Sequence, residues 1–329
     1  MNGQQSRLEL FARNTQVIKK DFIWQNTLIK RLAALLYAAE SKEMDCEAIH
    51  ESHDLIKKHT GLFSAFRGNS VISIATMLSL SSDRNVQLSN TLEVYELLKK
   101  EHFRASDFLV VAAYQIAAHA KASDFEHIVR RTKAFYDGMK QEHWFLTGQD
   151  DYIFAAMLGL SDVELSAGLD RMQQLYDDLK PEFFSGIGLQ SLAQVLVLSG
   201  KSAEAETRVL ALRDTFRARG IRLDRTYTLS SLGVLSLLPA DIEKIVREVD
   251  EAYEYLRTQK GFGAFTVSKQ ELLLLSAGLV AFDYVDHAKS GIVNTAISTS
   301  IVDIIIAQQA AIAAAAASSA AAAGASSSG

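Results

Sequence analysis

A short apolar pattern recurs along this chain at a nearly constant spacing, and this recurrence limits the fold more than any other feature. The pattern sets small residues, chiefly alanine, among large aliphatic ones. A spacing of about 40 residues is typical of proteins built from two-helix repeats. The copies, of which the last two are looser, lie at residues 31–39, 73–81, 110–118, 153–161, 191–199, 230–238 and 271–279.

Each copy is apolar on nearly every side, as expected for an inner helix that packs against neighbours all round. The chain has only two prolines, Pro181 and Pro239, so long helices can form almost everywhere else. An amphipathic segment follows each inner copy, with apolar residues at helical spacing on one face and charges on the other. These predicted outer helices span residues 48–58, 90–100, 126–140, 165–179, 205–217 and 242–257.

The pattern therefore predicts an all-α fold, an array of about six to seven helix-pair repeats with an Ala/Ser-rich C-terminal helix. The array would be either an α-solenoid or a curved α/α superhelix. We expect a capping helix over residues 1–27, the repeat domain over 28–286, an apolar helix packed on the last repeat over 287–317, and a low-complexity tail over 318–329.

The predicted outer helices also end alike. Basic residues occupy the last turn, where they complement the helix dipole, and an aromatic or aliphatic residue and often a glycine follow. We interpret the apolar residue as a plug between neighbouring repeats and the glycine as a helix cap. Asp224 is a candidate for the start of the sixth inner helix.

Charge and cysteine content restrict the partners and the compartment. The formal net charge is −5 and the pI is about 5.9, without the basic stripe that binds nucleic acid, so no nucleic-acid partner is expected. Cys46 is the single cysteine, which rules out an intramolecular disulfide and fits a reducing, cytoplasmic location. The first residues lack the apolar run of a signal peptide.

The C-terminal stretch raises the question of a membrane. Residues 292–317 are long enough to span a bilayer, which needs about 20 apolar residues. Asp303 lies in the middle of this window, where a carboxylate costs about 2.5–3.5 kcal/mol. Because the large aliphatic residues form a one-sided stripe, we favour a helix packed on the last repeat.

No motif of a nucleotide-binding loop, a serine hydrolase, a zinc protease or a redox Cys pair occurs, which favours a non-enzymatic protein with no predicted cofactor. The best candidates for a divalent-metal site are Glu142, His143, Asp150 and Asp151, since carboxylates and imidazole suit such ions. The simpler interpretation is that Asp150 and Asp151 cap a helix and that His143 fills a repeat position.

Two further groups contain metal-ligating residue types. Cys46, His50 and His53 share one helix face and could hold zinc, but a fourth ligand is missing. His59 and His102 occupy repeat positions related to that of His143. A histidine near a helix C-terminus interacts well with the dipole, so a helix-end role is favoured.

Three segments carry a resemblance to a known family. TGLFSAFRG (60–68), EHWFLTGQDD (142–151) and IIIAQQAAIAAAAASS (304–319) resemble an uncharacterised bacterial family, found largely in Firmicutes and catalogued as domain of unknown function four-thousand-and-three. The resemblance covers almost the whole chain and implies that the Ala/Ser-rich tail is native. It implies no established activity, substrate or catalytic residue.

Three functional hypotheses follow. The first is a scaffold that binds an unidentified protein or peptide on the surface of the helix array. The second is a metal-dependent enzyme or small-ligand-binding protein with its site in the loop 143–151, joined by Asp107 or Asp224 of neighbouring repeats. The third is a peripheral membrane protein that binds through residues 292–317.

Overall fold

The computed structural model describes residues 3–287 apart from positions 63, 69–70, 144, 201–202 and 227, and all regular secondary structure in them is helical. The predicted C-terminal helix and tail lie outside the described residues. The outer helices are α1 (Gly3–Asp21), α3 (Cys46–His59), α5 (Arg84–Lys100), α7 (Phe125–Glu142), α9 (Leu165–Leu179), α11 (Ala203–Ala218) and α13 (Ile242–Thr258). The inner helices are α2 (Thr27–Ala39), α4 (Val71–Leu80), α6 (Asp107–His119), α8 (Tyr152–Leu160), α10 (Gly186–Leu198), α12 (Leu229–Ser236) and α14 (Lys269–His287). Two 3₁₀ turns, Ala65–Arg67 and Ala122–Asp124, lie in the connections.

The predicted all-α class and pairwise helix packing are confirmed, and every inner helix coincides with a copy of the apolar pattern. The start of α5 is wrong in the sequence prediction, which placed it at residue 90. The helix begins at Arg84 because the Asp83 carboxylate accepts hydrogen bonds from the backbone N–H of Asn85 and Val86, both at 3.0 Å.

Asp224 does not open the sixth inner helix, as the sequence analysis expected. Helix α12 begins at Leu229, after a turn in which the Thr228 hydroxyl donates to the carbonyl of Leu223 at 2.8 Å. Asp224 instead accepts hydrogen bonds from Arg217 and Arg222, each at 2.8 Å. Two arginines so close bind the carboxylate more strongly than a helix N-terminus would.

The described helices fall into two compact units. Among the described residues, unit 1 comprises those up to 16, 38–42 and 166–287, and unit 2 comprises residues 17–37 and 43–165. In unit 2, α4 packs on α6 and α6 on α8, while α3, α5 and α7 line up beside them. In unit 1, α10, α12 and α14 pack in the same succession, with α11 and α13 alongside.

The inner helices are buried on all sides. Every described residue from Ile29 to Ala38, from Tyr152 to Gly159 and from Leu229 to Ser236 is withdrawn from solvent. The outer helices bury one face only, as their amphipathic sequences predict. Whatever this protein binds on its described surface must therefore contact the outer helices or the connections.

The connections from outer to inner helices contain the predicted apolar plugs. Those whose side chains are buried are Phe66, Phe103, Phe183, Ile221 and Phe262. Two of these connections begin with the same left-handed turn. His102 has φ 65° and Gly220 has φ 72°, and in each case the next N–H donates to a carbonyl five residues back. His102 therefore has the helix-end role that the sequence analysis favoured.

Within unit 1, the N-terminal part of α1 packs on the last described helix. Arg7 donates to the Asp283 carboxylate at 2.8 Å and to the carbonyls of Ala38 and Ala39 at 2.7 and 2.9 Å. The Phe11 ring lies 5.5 Å from the ring of Phe262. Arg7 and Asp283 are both 7% exposed, so this ion pair is removed from water and each charge requires the other.

Two arginines hold consecutive repeats together in an identical way. Arg131 of α7 donates to the carbonyls of Gly159, Ser161 and Val163 at 2.8–3.0 Å, at the end of α8. Arg208 of α11 makes the same three bonds at the end of α12, to Ser236, Leu238 and Ala240. The last carbonyls of a helix have no intrahelical partner and carry partial negative charge, so a guanidinium satisfies and stabilises them.

Replacing Arg208 by alanine is expected to lower the free energy of unfolding by about 2 kcal/mol, because three charge-assisted hydrogen bonds are lost. Arg247→Ala is the control, since Arg247 lies on the exposed face of α13 and makes only a surface ion pair at 3.9 Å. Urea denaturation followed by circular dichroism measures both. An equal effect of the two substitutions would contradict the stabilising role of Arg208.

Candidate functional site

The predicted metal-site residues lie in the connection between α7 and α8. Glu142 ends α7, His143 caps it, and the N–H groups of Leu146 and Thr147 turn back to the carbonyl of His143 at 3.0 and 2.9 Å. The Thr147 hydroxyl donates to the carbonyl of Met139 at 3.2 Å. The connection therefore folds against the end of α7 by its own hydrogen bonds.

The two aspartates of this connection have different environments. Asp151 is buried, and its carboxylate accepts the N–H of Gly148 at 2.9 Å. Asp150 is exposed, but its carboxyl oxygen folds over Gly148, and the resulting loss of hydration raises its pKa. Asp151 immediately precedes α8, as the simpler interpretation of the sequence expected. Its carboxylate, however, accepts a hydrogen bond from the N–H of Gly148 in the loop.

In the part of the chain that the structure describes, no three His, Cys, Asp or Glu side chains come close enough to share a metal ion. Glu142, His143, Asp150 and Asp151 share one loop without forming such a group. Their role as metal ligands stays a prediction. Asp224, a suggested additional ligand, is held by two arginines, and Asp107 lies in the first turn of α6.

The cysteine–histidine face of α3 meets the end of α1 within unit 2. Nε2 of His50 lies 3.1 Å from the Asp21 carboxylate, and the His50 ring stacks on Phe22 at 4.4 Å. Burial, together with a hydrogen bond to Asp21, raises the pKa of the Cys46 thiol to about 12. A thiol with such a pKa is protonated at neutral pH, so Cys46 lacks the thiolate that a nucleophile requires.

Exposed apolar side chains concentrate in the connections that lead from outer to inner helices. Unit 2 exposes Ile23, Trp24, Leu62 and Phe145 there, and unit 1 exposes Phe184 and Phe265 in its connections and Ile187 just after one of them. Val17 and Val86 are the other large apolar residues found exposed in the described chain, and both lie within outer helices. Single exposed apolar residues are ordinary, but their repetition at one structural position is not.

The two kinds of connection also differ in charge. The outer helices begin next to acidic residues such as Asp45, Asp83 and Asp241, whose carboxylates accept backbone N–H groups. They end with Lys57 and Lys58 in α3 and with Lys99 and Lys100 in α5. The helix dipole favours this arrangement. In the α3–α4 connection, these lysines therefore lie a few residues before the exposed Leu62.

A cleft of about 390 Å³ opens where α12 leads into α13, in unit 1. It is lined by Arg208, Glu204 and the backbone from Ser236 to Ala240. The Nε and Nη2 groups of Arg208 are already bound to three carbonyls, so the cleft is primarily the gap that this arginine closes.

Sequence reasoning missed the exposed aromatic residues because it treated every aromatic in a connection as a plug. The doublet Phe183-Phe184 contained the missing signal. Adjacent residues in an extended segment point in opposite directions, so only one of the two can be buried. Phe183 is buried against the guanidinium of Arg213, 5.4 Å from its ring, and Phe184 faces solvent.

Comparison with known proteins places this chain in a family. The family described as "Protein of unknown function (DUF4003)" matches residues 14–310, and the chain belongs to it. The chain is similar to the "Uncharacterized protein YeaA" of Bacillus subtilis (strain 168), with 24% identity over 241 residues that cover 71% of each chain. No solved structure is significantly similar. Among the described residues, no helix is long and apolar enough to cross a membrane.

Asp151→Ala is expected to lower the free energy of unfolding by about 1–2 kcal/mol, since it leaves a loop N–H without its acceptor. Asp150→Asn, the matched control, is expected to leave stability within about 0.5 kcal/mol or raise it slightly, because its carboxylate is partly desolvated. Thermal unfolding with a chelator and with divalent ions checks both. Stabilisation by one ion that Asp150→Asn abolishes would instead support the metal site.

Proposed function

We propose that this protein is a non-catalytic binding scaffold whose outer-to-inner connections in unit 2 contact another protein. The observation that supports this best is the repeated exposure of large apolar side chains at these connections. Exposed apolar residues with a polar surround are typical of protein-binding surfaces.

The connections of unit 2 are well placed to act together. A side-chain carbon at Gly68 would collide with the Asp107 carboxylate, so the α3–α4 connection lies directly against the start of α6. The N–H of Arg104 lies 3.4 Å from the Tyr152 hydroxyl, which joins the next connection to the start of α8. The α3–α4, α5–α6 and α7–α8 connections therefore follow one another along a single edge of unit 2.

The edge of unit 2 has the composition of a protein interface. Leu62 is 77% and Phe145 is 68% exposed, and the surrounding charges have both signs, from Lys58 to Glu142. Mixed charges around apolar anchors provide partner selectivity, while the anchors contribute most of the affinity. Because this edge lies where helices α3, α5 and α7 end, a partner could bind it without a rearrangement of the core.

The test uses tagged full-length protein as bait in lysate of the source organism, with quantitative mass spectrometry of the proteins retained. Trp24→Ser, Leu62→Ser and Phe145→Ser are compared singly with wild type and with Val86→Ser. Val86 is also exposed but lies in the first turn of an outer helix. Specific partners are expected to be lost about tenfold with at least one connection variant, because an apolar anchor is worth about 1.5–3 kcal/mol.

Thermal unfolding of each variant shows that the fold is intact. Retention of the same proteins by wild type and by all three connection variants would contradict the proposal, and so would a loss that is equal in Val86→Ser.

A further inference from the structure

Two connections of unit 1 each present a phenylalanine that protrudes completely. Phe184, between α9 and α10, is 105% exposed, and Phe265, between α13 and α14, is 106% exposed. Phe265 belongs to a turn in which the N–H of Thr266 donates to the carbonyl of Gly263 at 2.8 Å. All four residues of this turn, from Gly263 to Thr266, are exposed. Both phenylalanines are therefore at projecting tips.

The connection from α11 to α12 lies between these two tips. A side-chain carbon at Gly188 would lie 2.8 Å from the carbonyl oxygen of Thr226, so the start of α10 touches this middle connection. On the other side, Nζ of Lys269 donates to the carbonyl of Gly220 at 3.3 Å. Phe184, the middle connection and Phe265 thus follow one another along one edge of unit 1.

Three carboxylates of this edge are paired with arginines. Burial would raise the pKa of Asp224, but hydrogen bonds from Arg222 and Arg217 outweigh it and hold the pKa below its ordinary value. Glu182 binds Arg213 at 2.6 Å, and Glu254 binds Arg257 at 3.1 Å.

Several cations of the same edge have no such partner. Within the described residues, four of them make no ion pair with a carboxylate: Lys180, Arg225, Lys260 and Lys269. The edge therefore combines protruding aromatic side chains with four cations that form no ion pair among the described residues.

We propose that this edge, defined by Phe184, Ile187, Arg225, Lys260, Phe265 and Lys269, binds the surface of an anionic phospholipid bilayer. A rigid protein partner would need a hollow that matches each protruding ring, whereas a bilayer receives such rings without any preformed shape. Aromatic side chains partition to the interfacial region of a bilayer, and each nearby lysine or arginine gains about 1 kcal/mol from anionic lipid. This goes beyond the proposed scaffold function, since it concerns another unit and another class of partner.

Cosedimentation of the full-length chain with vesicles tests the proposal. The vesicles are of phosphatidylcholine alone or of phosphatidylcholine with phosphatidylglycerol. We expect binding only to the second kind, weakened by salt. The variant Phe184→Ser/Phe265→Ser should bind the vesicles at least about tenfold more weakly. Replacing Arg225, Lys260 and Lys269 by glutamine should lower the vesicle affinity about fivefold for each charge removed. Val86→Ser and Arg247→Gln are the apolar and charge controls and should leave binding unchanged.

A second measurement reports insertion directly. Phe184→Trp and Phe265→Trp, each compared with Val86→Trp, should show a blue shift of the added fluorescence and quenching by brominated lipid on phosphatidylglycerol vesicles. Absence of vesicle binding would overturn the proposal. So would binding that the phenylalanine variant and the glutamine variant both retain, the result expected if residues 292–317 bind the bilayer instead. Equal binding to phosphatidylcholine would also contradict it. None of these results affects the protein-binding test of unit 2.

Discussion

Water is excluded from the inner helices on every side, and most other features of the structure follow from this exclusion. Each large aliphatic side chain that is fully buried contributes about 1.5–3 kcal/mol, which offsets the cost of ordering the chain. A polar group that enters this environment is costly unless it finds a partner there, and two hydroxyls of the inner helices do so. The Tyr114 hydroxyl donates to the carbonyl of Met77 at 2.9 Å, and the Thr76 hydroxyl donates to that of Ile72 at 2.7 Å. At the ends of α8 and α12, where carbonyls lack helical partners, arginines from the outer helices provide the donors.

The same exclusion explains which part of the structure the sequence could predict. An inner helix must be apolar nearly all round, so its position is visible in the sequence without knowledge of its neighbours. The start of α12 could not be predicted in this way. Asp224 is a good helix-capping residue by type, but Arg217 and Arg222 are close to it only in the folded chain. The three hydrogen bonds that Arg131 and Arg208 each make to carbonyls could not be predicted for the same reason, since an arginine on an amphipathic helix ordinarily faces solvent.

The candidate site was less predictable than the fold. The acidic loop 142–151 contains the residue types of a metal site, but sequence spacing does not fix the direction of side chains in a connection. The structure directs Asp151 to the N–H of Gly148 and leaves Asp150 at the surface. Membership of the family adds no activity, because the family itself is described only as a protein of unknown function. The functional proposals therefore depend on which side chains the connections expose.

Several connections serve two purposes. One side chain closes the space between repeats, and in several connections its neighbour faces outward. Phe183 with Phe184, and Phe262 with Phe265, show this division in unit 1. At the ends of α3, α5 and α13, basic residues lie in the last turn, where the helix dipole favours them. A stable core and an apolar, basic edge are thus consequences of one repeated design.

Hydroxyl-radical footprinting with residue-level mass spectrometry tests this division most directly. The two members of each pair have the same intrinsic reactivity, so any difference reports exposure. The structure predicts rapid oxidation of Phe184 and Phe265, which are 105% and 106% exposed, and protection of Phe183 and Phe262, which are 6% and 1% exposed. Equal oxidation within each pair, or protection of Phe184 and Phe265, would contradict the account of the connections as binding surfaces.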